Sequence, residues 1–260
     1  MEVVILNGSK QIARLAADAV EDLLRRKPDA VLGLATGSTP LPVYDELAAR
    51  HERDGLDFSR ASGFALDEYV GLPPGHPESY REVVRREFTN RVNIRPENVH
   101  GPDGAAADIP GACRAYEEAI AAAGGVDLQI LGVGTDGHIA FNEPGSSFAS
   151  RTRIKSLLEQ TRRDNARFFS SLADVPHHVL TQGLGTIMDA RHVILLATGA
   201  RKAQAVRDFV EGPVAAICPA SILQFHPHAT VLLDEAAASA LKLADFYRHT
   251  YDHKPSWQGI

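Results

Sequence analysis

Six short apolar runs, rich in β-branched residues, recur along the chain at 3–6, 31–34, 63–66, 126–131, 192–197 and 230–233. Helical periodicity fills the spaces between them. Ile12, Leu15, Ala16, Ala19, Val20, Leu23 and Leu24 fall at i, i+3, i+4 and make one apolar helix face. Strands alternating with helices predict a parallel sheet with helices on both faces. The expectation is therefore an α/β chain forming a single domain over residues 1–260, with a doubly wound, mostly parallel, Rossmann-like sheet flanked by helices.

A chain of 260 residues can bury roughly three quarters of its surface on folding and needs neither metals nor disulfides for a core. Cys113 and Cys218 lie far apart with no CxxC spacing, which predicts a reduced, cytoplasmic protein. The opening MEVVILNGSK lacks the longer apolar stretch and basic flank of a signal peptide. No segment approaches the ~20 apolar residues of a membrane span. With 27 Lys+Arg against 33 Asp+Glu, the formal net charge is −6. That balance argues against nucleic acid or an anionic membrane as a partner. It leaves room for an anionic small molecule, because a pocket can differ in sign from the surface around it.

Helix boundaries are marked chemically. Thr39 before Pro40 reads as a helix start, since proline at the first helical position lacks only an N–H that has no partner there. Ser79-Tyr80-Arg81-Glu82 is a capping box leading into Val83, Val84 and Phe88. Ile109, Cys113, Tyr116 and Ile120 form another apolar stripe, with Cys113 as a small core residue. The stretch from about 132 to 168 shows no clear strand–helix rhythm. Long loops of this kind tend to be functional or mobile, and 145–170 is expected to be a mobile, lid-like segment.

In an open parallel sheet, ligands bind beyond the carboxyl ends of the strands. Four predicted strands run there into small, hydroxylated or ionisable residues. The second leads to Thr36, Gly37, Ser38 and Thr39, and the third to Asp67, Glu68 and Tyr69. The fourth leads to Gly132, Gly134, Asp136, Gly137 and His138, then Asn142 and Glu143; the fifth leads to Thr198-Gly199-Ala200-Arg201-Lys202. Together they should meet on one rim.

Each segment has a functional and a plain reading. The 36–39 turn suits a phosphate at a helix start, or is an ordinary capped turn. It is not a P-loop, and no GxGxxG announces a dinucleotide. Arg167 and Lys202 are countercharges for a phosphate or solvated surface cations. Asp67 and Glu68 point to opposite sides of a strand, so only one faces the site; it is a desolvated general base or a cap. Asp136, His138 and Glu143 form a proton relay, a DG turn with an incidental histidine, or a metal site whose spacing matches no HExxH pattern. The remaining histidines, His226 and His228 included, read as surface or structural. No metal or cofactor is expected.

Leu66-Asp67-Glu68-Tyr69-Val70-Gly71-Leu72, His76-Pro77-Glu78-Ser79-Tyr80 and, above all, Gly132-Val133-Gly134-Thr135-Asp136-Gly137-His138-Ile139-Ala140-Phe141-Asn142-Glu143-Pro144 closely resemble the glucosamine-6-phosphate deaminase family. The similarity runs nearly end to end, through Ser150-Arg151-Thr152-Arg153. It implies a cofactor-free enzyme of amino-sugar catabolism that converts glucosamine 6-phosphate and water to fructose 6-phosphate and ammonia. Carried over by position, Asp67 would move a proton between C2 and C1. His138 would assist ring opening, tuned by Asp136 and Glu143. Gly37, Ser38 and Thr39, with Arg167 and Lys202, would hold the phosphate.

The same resemblance implies a homo-oligomer, since some members are hexamers activated by N-acetylglucosamine 6-phosphate. Ser146, Ser147, Arg153 and Lys155 match the effector positions. The last helix departs from the pattern: Arg248 stands where regulated members carry a tyrosine, with Tyr247 one position off. The nearest rival is a 6-phosphogluconolactonase, but such enzymes continue after the DGH segment toward Ser-Leu-Phe-Pro. A non-catalytic sugar-phosphate sensor is the rival from another class. It would need a DNA-binding segment and a basic balance, and the sequence has neither.

Overall fold

The computed structural model describes residues 1–255 and 257–260. The chain opens with β1 (Glu2–Leu6), α1 (Ser9–Arg26), β2 (Val31–Leu34), α2 (Leu41–Asp54) and β3 (Ser62–Ala65). It continues through β4 (Asp67–Tyr69), α3 (Tyr80–Glu87), β5 (Val99–His100), α4 (Ile109–Ala122) and β6 (Leu128–Gly132). Then come β7 (Arg153–Ser156), α5 (Glu159–Asn165), β8 (His178–Thr181) and α6 (Leu184–Met188). The last elements are β9 (His192–Ala197), α7 (Ala203–Val210), β10 (Ala229–Asp234) and α8 (Ala244–Asp252).

Seven strands form one sheet in the order β1-β10-β9-β6-β2-β3-β5, with every pairing parallel. From β2 the chain builds outward through β3 to β5, then returns to β6 and builds the other way through β9 and β10. The strand order reverses between β2 and β6, the place where a doubly wound sheet leaves its ligand crevice. All six expected strands lie within two residues of their sequence boundaries. β2 and β9 are buried along their whole length, which is why these runs are continuously apolar and do not alternate. α1 buries Ile12, Ala16, Val20 and Leu24 of the face that its periodicity marks and also Ala13 and Ala17 beside it, while Leu15, Ala19 and Leu23 are half-buried.

Two local expectations need correction. The helix after β2 does not start at Thr39: residues 38–40 form a turn, and the Val43 and Tyr44 amides both reach back to the Pro40 carbonyl. Pro42, not Pro40, occupies the first helical turn. Nor is 132–168 without regular structure, because it contains β7 and α5. With β4 and β8, β7 makes a second, antiparallel sheet in the order β4-β8-β7. These strands have three or four residues, and β7 alternates half-buried and exposed positions. Neither trait produces an apolar run to read. A small cluster of Tyr69, Phe141, Leu157 and Val179 packs beside this sheet, separate from the main core. No described helix is long and apolar enough to cross a membrane.

Candidate active site

Only Leu66 separates β3 from β4, so the main sheet hands the chain straight to Asp67 and Glu68. The two carboxylates have separate surroundings. Glu68 accepts hydrogen bonds from the backbone N–H groups of Tyr69, Tyr80 and Arg81 at 2.8, 2.9 and 3.0 Å. It thereby caps the start of α3, where N–H groups lack intrahelical partners and the dipole favours negative charge. Ser79 completes the cap by accepting from the Glu82 N–H at 3.3 Å. Burial raises the Glu68 pKa in spite of these bonds. Asp67 is only 5% exposed and receives no hydrogen bond among the described residues. Burial first, then the charge of Glu68, push its carboxyl well above the usual carboxylate range. A carboxyl so short of solvation is suited to taking up a proton.

The loop after β6 gathers Asp136, His138 and Glu143, with one side-chain donor atom of each within 4.8 Å of the others. Nδ1 of His138 lies 2.7 Å from Asp136 Oδ1 and 3.7 Å from Glu143 Oε2. The 2.7 Å approach is off the ring N–H axis, so it is a close contact and not an aligned hydrogen bond. Glu143 is 4% exposed; its Oε1 accepts from the Thr161 hydroxyl at 2.7 Å, while its Oε2 is sealed without a hydrogen-bond partner. Burial acts to raise the Asp136 pKa, but the contacts with His138 outweigh it and hold the group well below the usual range. Burial raises Glu143 against the lowering effects of Thr161 and His138, and the Asp136 charge adds to the rise. Of the two carboxylates, Glu143 holds a proton more readily. The three side chains would also suffice in number for a divalent metal, and no other described group of metal-binding residues is as close.

Within this loop Ala140 has φ of 51°, the one positive value among described non-glycine residues. A left-handed conformation costs an L-residue about 1–2 kcal/mol. The two residues after it are anchored: the Phe141 N–H donates to Thr181 Oγ1 at 3.1 Å, and Asn142 Nδ2 donates to the Gln182 carbonyl at 2.9 Å.

The 36–39 turn leaves Ser38 exposed and Thr36, Gly37 and Thr39 half-buried. A cleft beside it is lined by Ser9, Ser38, Thr39 and Thr198 and by Ile12 and Val43. The turn abuts the start of the histidine loop, since a β-carbon on Gly132 would lie 3.9 Å from Thr39 Cβ. Lys202 is half-buried in the turn after β9. Burial, then Arg201 and Arg167, lower its pKa, while Asp164 and Asp136 oppose the shift. Arg167 follows α5 and is exposed, its guanidinium 4.7 Å above the Phe168 ring.

Of the expected effector positions, Ser146 is buried and donates to the Glu143 carbonyl at 2.7 Å. Ser147 is exposed. Arg153 and Lys155 are half-buried and share one face of β7, and neither forms an ion pair among the described residues. Arg248 pairs with Glu235 and Asp245 on the surface. Sequence reasoning missed Thr161, Thr181 and Gln182, which lie outside the six apolar runs. It also missed that the Tyr69 hydroxyl accepts from Tyr80 and Asn165 at 3.1 Å each.

Residues 7–232 match the family model described as glucosamine-6-phosphate isomerases/6-phosphogluconolactonase. The chain belongs to this family. It is 86% identical over 260 residues to a glucosamine-6-phosphate deaminase of Pseudarthrobacter chlorophenolicus, covering all of both chains. It is 64% identical over 261 residues to the one of Streptomyces coelicolor, again over the full length of both. Among solved structures it is similar to a monomeric glucosamine-6-phosphate deaminase, with a TM-score of 0.90 and 42% identity over 92% of this chain and 100% of that one. A 6-phosphogluconolactonase from Trypanosoma cruzi shares the family fold alone, at a TM-score of 0.73 and 22% identity over 93% of this chain and 97% of that one.

Proposed function

We infer that this chain converts glucosamine 6-phosphate and water to fructose 6-phosphate and ammonia. The observation that supports the reading is a buried Asp67 whose carboxylate receives no hydrogen bond among the described residues, just beyond β3, together with the Asp136–His138–Glu143 cluster just beyond β6, both at carboxyl ends of strands in one doubly wound sheet. An aldose–ketose isomerisation needs a base to carry a proton from C2 to C1, and a raised carboxyl suits a carbon acid. Ring opening needs a group that can move a proton at the sugar's ring oxygen. His138 takes this role, with Asp136 and Glu143 orienting it. Thr36, Gly37, Ser38 and Thr39 with Arg167 and Lys202 hold the phosphate, so an acidic chain brings two cations to its substrate. The chain acts in the cytoplasm in amino-sugar catabolism and needs no cofactor.

α5 and the turn after it contribute Thr161, Asn165 and Arg167, which supports a lid role for part of 145–170. Arg153 and Lys155, with Ser147, suit the phosphate of an effector such as N-acetylglucosamine 6-phosphate, and rate curves with and without that sugar decide the matter. A homo-oligomer is tested by mass photometry.

The deciding experiment incubates the purified protein with glucosamine 6-phosphate and measures ammonia and fructose 6-phosphate in equal amounts. Failure to turn over this sugar, alongside rapid hydrolysis of 6-phosphogluconolactone, would reverse the assignment.

A further inference from the structure

We propose that Thr181 is a positioning residue that fixes the His138–Glu143 loop against the strand carrying Asp67. The inference rests on the deaminase reading for its assay. The two halves of the site arrive on different elements, one after β6 and one after β3. Thr181 is fully buried in the central strand of the small sheet, with Asp67 as its ladder partner on one side and Arg153 on the other. Its Oγ1 accepts the Phe141 N–H at 3.1 Å. Gln182 continues the clamp: its N–H donates to the Leu66 carbonyl at 2.8 Å, and its carbonyl accepts from Asn142 Nδ2 at 2.9 Å. Its Nε2 reaches the Ala65 carbonyl at 3.4 Å.

Two consecutive residues thus hold two consecutive loop residues on one side and the approach to Asp67 on the other. Phe141 lies between His138 and Glu143, and directly follows the left-handed Ala140. Without the Thr181 oxygen, the Phe141 N–H loses its partner and the strained loop is free to relax. Proton transfers at Asp67 and His138 must act on one bound sugar, so a displacement near 1 Å costs turnover. The phosphate contacts lie elsewhere and should preserve binding.

Thr181→Val keeps the side-chain shape and removes the acceptor, whereas Thr181→Ser keeps the acceptor. The expected result for Thr181→Val is a kcat for ammonia release lower by about 10- to 100-fold with KM within about threefold of wild type. Thr181→Ser should stay within about threefold of wild type in both. A wild-type kcat in the valine variant overturns the proposal. So does an equal loss in the serine variant, or a loss confined to KM. Hydrogen exchange at the Phe141 amide provides a readout independent of turnover. It should be slow in the wild-type protein, and an unprotected rate there overturns the proposal even if the valine variant fails to fold. A wild-type protein that releases no ammonia would instead remove the deaminase reading and leave the anchor to the exchange measurement.

Discussion

The imidazole of His138 rests against the backbone of Gly134. A β-carbon on Gly134 would stand 2.2 Å from Cε1 and 2.3 Å from Nδ1 of that ring, and 2.7 Å from Asp136 Oδ1. No contact that close is tolerated, so the smallest added side chain must displace the ring from the two carboxylates beside it.

Gly134→Ala should therefore lower kcat by about 100-fold, the scale of a displacement near 1 Å in a reacting group. Gly134 is buried in a loop whose Val133 and Ile139 join the main core, so relieving the clash should also cost about 1–3 kcal/mol, read as a Tm lower by about 2–4 °C for each kcal/mol. Steady-state kinetics and thermal melts check both halves. An unchanged kcat would show that the ring does not depend on this contact.

Asp67→Asn should reduce turnover by about 100- to 10,000-fold, the usual contribution of a general base, while phosphosugar binding survives. It should also alter stability in a pH-dependent way. The Asp67 carboxyl is raised in the fold, so between its unfolded and folded values the native state holds a proton that the unfolded chain has released. Wild-type stability therefore declines as pH rises from about 4 through the folded value. Asparagine cannot lose that proton. The Tm advantage of the variant should be larger at pH 8 than at pH 4.5, with about 2–4 °C for each kcal/mol recovered. Equal differences at both pH values would show that Asp67 is not the group responsible.

Glu68→Gln provides the contrast. It weakens two hydrogen bonds at the start of α3 and one to the Tyr69 amide in β4 and removes a charge favoured by the helix dipole. The expected cost is about 1–2 kcal/mol of stability, read as a lower Tm, with kcat within a few-fold of wild type. A loss of turnover matching Asp67→Asn would reassign the base to Glu68.

Six of the main sheet's seven strands were legible because they are largely buried and so read as apolar runs; β5, two half-buried residues at the sheet edge, was not. The rim chemistry was legible because strand ends in such a sheet are where ligands bind. The small sheet was not, because β4, β7 and β8 are short and their burial depends on partners distant in sequence. For the same reason sequence could show that Asp67 and Glu68 diverge but not which of them caps a helix. The Tyr80 and Arg81 amides that settle it lie more than ten residues away. Thr161, Thr181 and Gln182 act through bonds to a loop 18 to 40 residues distant, a distance that no local pattern encodes.

Lys202 gives a prediction in which pH separates charge from shape. Its ammonium is half-buried, and burial with the nearby Arg201 lowers its pKa from the ordinary lysine value of 10.5. If it holds the substrate phosphate, Lys202→Met should raise KM for glucosamine 6-phosphate by about 10- to 100-fold at neutral pH, the value of one charged hydrogen bond. In the wild type, KM should climb on the alkaline side before pH 10.5 as the ammonium loses its proton. Lys202→Arg retains its charge throughout that range, so its KM should stay flatter across the same pH span. Measuring KM from pH 7 to pH 10 for the three proteins tests the assignment. Parallel profiles for lysine and arginine would assign the alkaline change to another group, and an unchanged KM in Lys202→Met would remove Lys202 from the phosphate site.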